Sequence, residues 1–192
     1  MSSSPGPGSS AGGGPNPAVP RGISELGRGS LPIPPELAKA PRDAATVILL
    51  RPAGAGYEVY LVKRAQAIAF MGGAHVFPGG RVDPKTDPNV EAAAVREVEE
   101  ECAVKLDVRA LRLWARWVTP EVEPKRFDAR FFVAAVPAGQ AAACDQGECV
   151  EGEWLSPRAA LEAAEKGAIA LPPPTLWNLL DLAALPTIDA VL

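Results

Sequence analysis

Residues 77–104 read FPGGRVDPKTDPNVEAAAVREVEEECAV: a proline-glycine turn, a polar loop, and a run with no helix breaker after Pro88. Glycine lacks Cβ and lets the backbone approach a neighbour closely, so Phe77-Pro78-Gly79-Gly80 reads as a tight turn. Asp87 suits an N-cap and Pro88 a first helical position, which predicts a helix from Asn89 to about Cys102. Its second half carries Arg96-Glu97-Val98-Glu99-Glu100-Glu101. Like charges three or four residues apart repel by a few tenths of a kcal/mol per pair, and the C-terminal half of a helix disfavours negative charge. Something must compensate. At about 100° per residue, Glu97, Glu100 and Glu101 share one sector of about 100° while Glu99 points away, and Val95, Val98 and Cys102 anchor another side. Three carboxylates on one face suit a hard divalent cation, Mg²⁺ or Mn²⁺. The competing reading is a solvated acidic face. The glycine turn upstream favours the cation, because such a turn next to an acid-rich helix can hold a metal-bound diphosphate.

Upstream, Ala44–Leu50 (AATVILL) is apolar and β-branched, Pro52, Gly54 and Gly56 supply a turn, and Tyr57–Lys63 (YEVYLVK) follows as a second strand. Ala74–Phe77 is a short strand into the glycine turn. Downstream, Leu111–Val118 and Arg130–Val136 read as strands around a Pro120–Pro124 loop. Ser156 caps a helix with Pro157 at its first position, Glu165 near its end and Gly167 as its stop, and Thr175–Ala184 makes a short helix after three prolines. The order strand, strand, strand, helix, strand, strand, helix, helix argues for an α/β layered domain with a mixed sheet.

The start of the chain differs in kind. Of 18 Gly and 21 Pro, eight of each lie in residues 1–35, which hold no aromatic. Such a segment buries too little apolar surface to offset about 1–2 kcal/mol per residue of ordering entropy, so residues 1–41 are expected to be a disordered tail and 42–192 one folded domain. No apolar run approaches the ~20 residues of a membrane span, and the start lacks signal-peptide character, which predicts a cytoplasmic protein with no membrane contact. A net charge of −4 with scattered Lys and Arg gives no footprint for nucleic acid. Cys102, Cys144 and Cys149 match no metal-ligand spacing and are expected as reduced thiols; His75 is expected to be a satisfied core histidine.

The segment from Gly80 to Val104 resembles the Nudix box, G-x5-E-x7-R-E-U-x-E-E-x-G-U with U apolar. Arg96, Glu97, Val98, Glu100, Glu101 and Val104 match in register behind Gly79-Gly80. The stretch from Gly80 to Arg96 is two residues longer than the pattern, Pro88 stands at the first Glu, and Ala103 at the late glycine. Farther upstream, Leu61-Val62-Lys63-Arg64-Ala65, Gly73, Phe77-Pro78-Gly79-Gly80 and Asp83 are similar to the signature of Nudix coenzyme A diphosphatases. Ala65 and Ala69 replace that signature's serine and second arginine. Trp117-Val118-Thr119-Pro120, Trp154-Leu155-Ser156-Pro157 and Leu171-Pro172-Pro173-Pro174-Thr175 look like the peroxisomal-type branch of those enzymes, so the resemblance covers about residues 42–180.

The resemblance implies a Nudix-type α/β/α sandwich that hydrolyses a diphosphate linkage in a nucleoside diphosphate derivative with Mg²⁺ or Mn²⁺. Glu97, Glu100 and Glu101 are its implied metal ligands. Arg96 orients them, braced by Asp87 or Glu91 in place of the missing first Glu. Glu148 is the first choice for a further catalytic acid ahead of Glu151 and Glu153. Arg64 and then Arg81 are the implied phosphate contacts beside Gly79 and Gly80. Coenzyme A or an acyl derivative leads among substrates, with ADP-ribose or a dinucleotide second. A non-catalytic nucleotide-binding module is a reading of another class, a tail-bearing scaffold is a third, and a homodimer is compatible with the family.

Overall fold

The structure is a computed structural model, and it describes residues 40–66, 72–123, 125–145 and 149–192. The expected tail therefore lies outside the described residues except for 40 and 41. Strands β1 (Arg42–Ala53), β2 (Gly56–Arg64), β3 (His75–Val76), β4 (Gly79–Arg81), β5 (Arg112–Val118), β6 (Phe127–Ala135) and β7 (Cys149–Leu155) form one sheet. Helix α1 is Val90–Cys102, α2 Pro157–Glu165, α3 Pro173–Ala183 and α4 Ile188–Val191, with a 3₁₀ turn at Val108–Ala110. The β1–β6 ladder is parallel and the rest are antiparallel, so the sheet is mixed, as the sequence implied.

The apolar run of β1 alternates between two cores. Val47 and Leu49 pack with Ala93, Ala94, Val98 and Cys102 of α1; Ile48 and Leu50 pack with Ala160, Leu179, Leu182 and Val191 of the C-terminal helices. A strand covered on both faces needs apolar residues at every position, which is why AATVILL shows no polar alternation. The result is three layers, helix on sheet on helices. Phe131 and Phe132 are buried on opposite faces, and Trp114 and Trp117 are partly buried.

One departure from regular pairing sets up the site. β1 and β2 pair only from Leu50↔Val59 to Ala53↔Gly56 and then diverge. Residues 75–81 enter the fork: His75 and Val76 pair with Lys63 and Val62, and Gly79–Arg81 pair with Thr46–Ala44. Pro78 carbonyl accepts from Val47 N–H at 2.9 Å. Gly79 has φ +154°, and a Cβ there would lie 2.3 Å from the Ala45 carbonyl oxygen and 2.6 Å from Thr46 Cα. Only glycine fits. β4 escapes a sequence reading because three residues of turn-like composition carry no strand signal, and β7 because its Val-Glu-Gly-Glu run is too polar.

Ser156 caps α2 and Pro157 opens it as anticipated. The N-terminus of α1 differs. Asn89, not Asp87, is its N-cap, with Oδ1 accepting from Ala92 N–H at 2.8 Å. Asp87 is pulled into other bonds.

Candidate active site

The loop 81–89 folds on itself. Asp87 N–H donates to the Asp83 carbonyl at 2.7 Å, and Asp83 N–H donates to Asp87 Oδ2 at 2.7 Å. This turn absorbs the two extra residues and leaves Asp87 8% exposed, facing α1. Arg96 meets it with two bonds, Nε to Oδ1 at 2.9 Å and Nη2 to Oδ2 at 2.8 Å. A paired fork of this kind fixes the guanidinium plane. Asp87, rather than Glu91, is thus the brace. The bond from Arg96 holds the Asp87 carboxyl below its usual range, and the same bond raises Arg96 further above its own.

From that plane Arg96 reaches along the helix. Nη1 donates to Glu100 Oε2 at 2.8 Å and lies 3.0 Å from Glu97 Oε1, while Nη2 donates to the Arg81 carbonyl at 3.2 Å. The counter-charge expected for the glutamate run is therefore Arg96. Glu101 Oε2 accepts from Gly79 N–H at 2.9 Å, and the residue is 8% exposed. Gly80 stands over Glu97, where a Cβ would fall 2.4 Å from Glu97 Oε1 and 2.5 Å from Oε2. Turn and helix thus meet through backbone where side chains would collide.

The carboxylates share a neighbourhood but not a point. Among the described residues, Glu97, Glu100 and Glu101 do not place three oxygens within 4.8 Å of one another. The reason is local. Arg96 draws Glu97 and Glu100 together, Gly79 N–H takes Glu101, and the Glu100 side chain stays 60% exposed. Glu99 points away to Lys105, as its helical angle requires. The grouping that does converge, Cys144, Asp145 and Cys149, offers no thiolate because its two sulfurs are bonded to each other. Two cavities of about 340 and 360 Å³ are lined by Tyr57, Pro157 and Leu182 with their neighbours, and by Arg51, residues 136–142 and Trp154. Neither is lined by α1 or the glycine turn.

The remaining candidates divide. Arg64 ends β2 opposite Cys149, and its Nε is buried without a hydrogen-bond partner. Arg81 is exposed and contributes its carbonyl to Arg96. Glu148 lies outside the described residues. Glu151 and Glu153 are on β7, where Glu153 approaches His75 Nε2 at 3.7 Å. His75 is buried as expected, yet its Nδ1 has no partner, and burial lowers its pKa.

The cysteines are the second correction. Cys144 and Cys149 form a disulfide, while Cys102 is a buried thiol whose pKa burial pushes up to about 12. Cysteine spacing alone does not disclose the bridge, which depends on the course of the strap formed by residues 137–145. That strap crosses the end of α1: Ala143 N–H donates to the Cys102 carbonyl at 2.9 Å and Asp145 N–H to the Glu101 carbonyl at 3.1 Å.

Comparison with known proteins identifies the domain and its fold. The model of the NUDIX domain matches residues 40–176. A relative described as putative nudix hydrolase 7 of Caenorhabditis elegans is 29% identical over 180 residues, covering 73% of this chain and 60% of that protein. The acyl-coenzyme A diphosphatase NUDT19 of Xenopus laevis is 34% identical over 77 residues, covering 38% of this chain and 20% of that protein. The chain thus spans less than two thirds of the length of these relatives. Among solved structures, a NUDIX hydrolase from Alicyclobacillus acidocaldarius has the same fold, with a TM-score of 0.70 at 23% identity over 78% of this chain and 94% of that one.

Proposed function

The chain belongs to the Nudix family, and from that premise we propose that it is a divalent-metal-dependent hydrolase of a diphosphate linkage in a nucleoside diphosphate derivative. The observation that carries the reading is the seat of Glu97 and Glu101 against the Gly79-Gly80 turn, with Arg96 locked to Asp87 behind them.

The donor set fits the implied ion, since clustered carboxylate oxygens are the chemistry that Mg²⁺ or Mn²⁺ takes. Glu97, Glu100 and Glu101 would hold it. When bound, such an ion neutralises diphosphate charge and lowers the pKa of its water. The residues supply the rest. Arg96 keeps Glu97 and Glu100 oriented by holding both from one nitrogen. Gly79 and Gly80, having no Cβ, let the turn lie directly against β1 and Glu97, which keeps the carboxylates seated at the turn. Arg64 has a buried Nε whose missing acceptor costs about 1–3 kcal/mol; a phosphate oxygen would recover that. Arg81 stands exposed at the same turn as a second cation. Glu148 is proposed as the acid that takes the proton of the attacking water.

Coenzyme A or an acyl-coenzyme A is the proposed substrate. Arg64, Gly73, the Phe77–Gly80 turn and Asp83 support it, together with the partial likeness to an acyl-coenzyme A diphosphatase. Ala69, where the signature has an arginine, favours ADP-ribose or a dinucleotide as the second reading. A panel of coenzyme A, ADP-ribose, NADH and diadenosine polyphosphates with Mg²⁺ or Mn²⁺ tests both. Cleavage of coenzyme A to 3′,5′-ADP and 4′-phosphopantetheine supports the first. Cleavage of ADP-ribose alone overturns it in favour of the second, and no cleavage with tight binding points to the non-catalytic module.

A further inference from the structure

The end of α1 that carries Glu100 and Glu101 is held in an unusual way. Its C-cap, Ala103, has φ +55° and ψ +24°, and among the described residues it is the only non-glycine with positive φ. An alanine in the left-handed region costs about 1 kcal/mol relative to glycine. Such a conformation persists where surrounding contacts over-determine it. Here those contacts come from the strap. Gln140 clamps Lys105 from both sides, Oε1 accepting from its N–H at 2.7 Å and Nε2 donating to its carbonyl at 3.0 Å. Ala143 and Asp145 donate to the last two carbonyls of the helix, the end where intrahelical donors run out. Cys144 lies between those two donors and is bridged to Cys149, the first residue of β7. Cys149 Sγ is 3.9 Å from the Glu101 carbonyl oxygen. One covalent bond therefore ties the strap, the helix end and the sheet together.

We propose, resting on the metal-dependent reading above, that the Cys144–Cys149 disulfide is a redox-labile positioning device for the metal-binding end of α1. Bridged, it keeps the strap on the helix carbonyls and Glu101 at the glycine turn; reduced, it releases the strap and lets the strained cap relax. The reductant is a dithiol. Its first thiolate attacks the half-buried Sγ of Cys144, Cys149 leaves as a thiolate and takes a proton from water, and the second thiol resolves the mixed disulfide. Two cysteine thiols and one oxidised dithiol result. Two electrons pass from the dithiol to the bridge.

The test uses the full chain, oxidised or reduced with dithiothreitol and desalted without air, and reads two quantities. Mn²⁺ affinity is followed by the electron paramagnetic resonance of the free ion, and amide hydrogen exchange is followed over residues 99–105. Reduction is expected to weaken Mn²⁺ about tenfold, within the range for groups that support metal ligands, and to speed exchange at those amides. Cys144→Ser/Cys149→Ser should match the reduced protein without added reductant. Ala103→Gly should narrow the difference between the two redox states, since glycine holds the cap without help. Equal Mn²⁺ affinity and equal exchange in both states would overturn the inference and leave the metal reading standing. So would an unbridged Cys144–Cys149 pair in the oxidised protein, or a redox effect unaltered by Ala103→Gly. Absence of Mn²⁺ binding in either state, with the disulfide intact, would overturn the metal reading and this inference with it.

Discussion

On its loop side α1 is fastened by charge: Asp87 grips Arg96, and Arg96 grips Glu97 and Glu100. At its far end it is fastened by backbone, with Ala143 and Asp145 donating to carbonyls under a disulfide. The first device sets the direction of the carboxylates and the second the place where the helix stops. Side-chain charge tolerates a longer loop, because a paired fork can form wherever the carboxyl arrives. Backbone capping needs one chain path. The difference shows how this chain holds α1 in place with Pro88 where the pattern has its first Glu and Ala103 where it has its late glycine.

Removing a carboxylate at the junction has the largest expected effect. Glu101→Gln, and Glu100→Gln likewise, should lower turnover by about 10²–10⁴-fold with the melting curve nearly unchanged, read by a diphosphatase assay beside circular dichroism. Gly79→Ala should cost about 2–4 kcal/mol of stability by forcing a Cβ onto Ala45 and Thr46, measured as a drop in urea midpoint. Asp87→Asn separates the two ends of the helix: activity should fall about 10–100-fold while hydrogen exchange at residues 101–103 stays as in the parent. Exchange lost equally at both ends would merge the two devices into one.

Acid acts on the charged end alone. Because the folded Asp87 carboxyl titrates below its unfolded value, its contribution is fully present above about pH 4 and is lost as pH falls through the lowered folded value. Asp128, paired with Arg116, follows the same sign. A pH titration of stability should therefore show an acid limb that Asp87→Asn shrinks, apart from the loss that buried His75 adds below its unfolded value and the alkaline loss that the raised Cys102 thiol adds above its own. Smallest is Ala103→Gly, expected to stabilise by about 0.5–1 kcal/mol; no gain would mean the cap is not strained.

How far the sequence disclosed all this depended on range. The apolar run 44–50, the Ser156-Pro157 cap and the helix of the glutamates follow from local patterns that the chain then obeys. Asp87 has two local roles open to it in the sequence, N-cap or partner to Arg96, and the turn closed by Asp83 decides between them. The strap depends on bonds from residues 140–145 to the end of α1 and to Lys105, and β7 on pairing with β2, none of which composition encodes. Helical angle puts Glu100 in one sector with Glu97 and Glu101, but its orientation toward Arg96 is a matter of side-chain charge that angle alone leaves open.

The most direct measurement compares turnover of coenzyme A and ADP-ribose, with Mg²⁺ or Mn²⁺, by the parent chain and by Glu101→Gln of verified fold. A seat for a divalent ion between α1 and the glycine turn predicts metal-dependent cleavage of at least one of the two by the parent, reduced at least about 100-fold in the variant. Equal rates in parent and variant would contradict it.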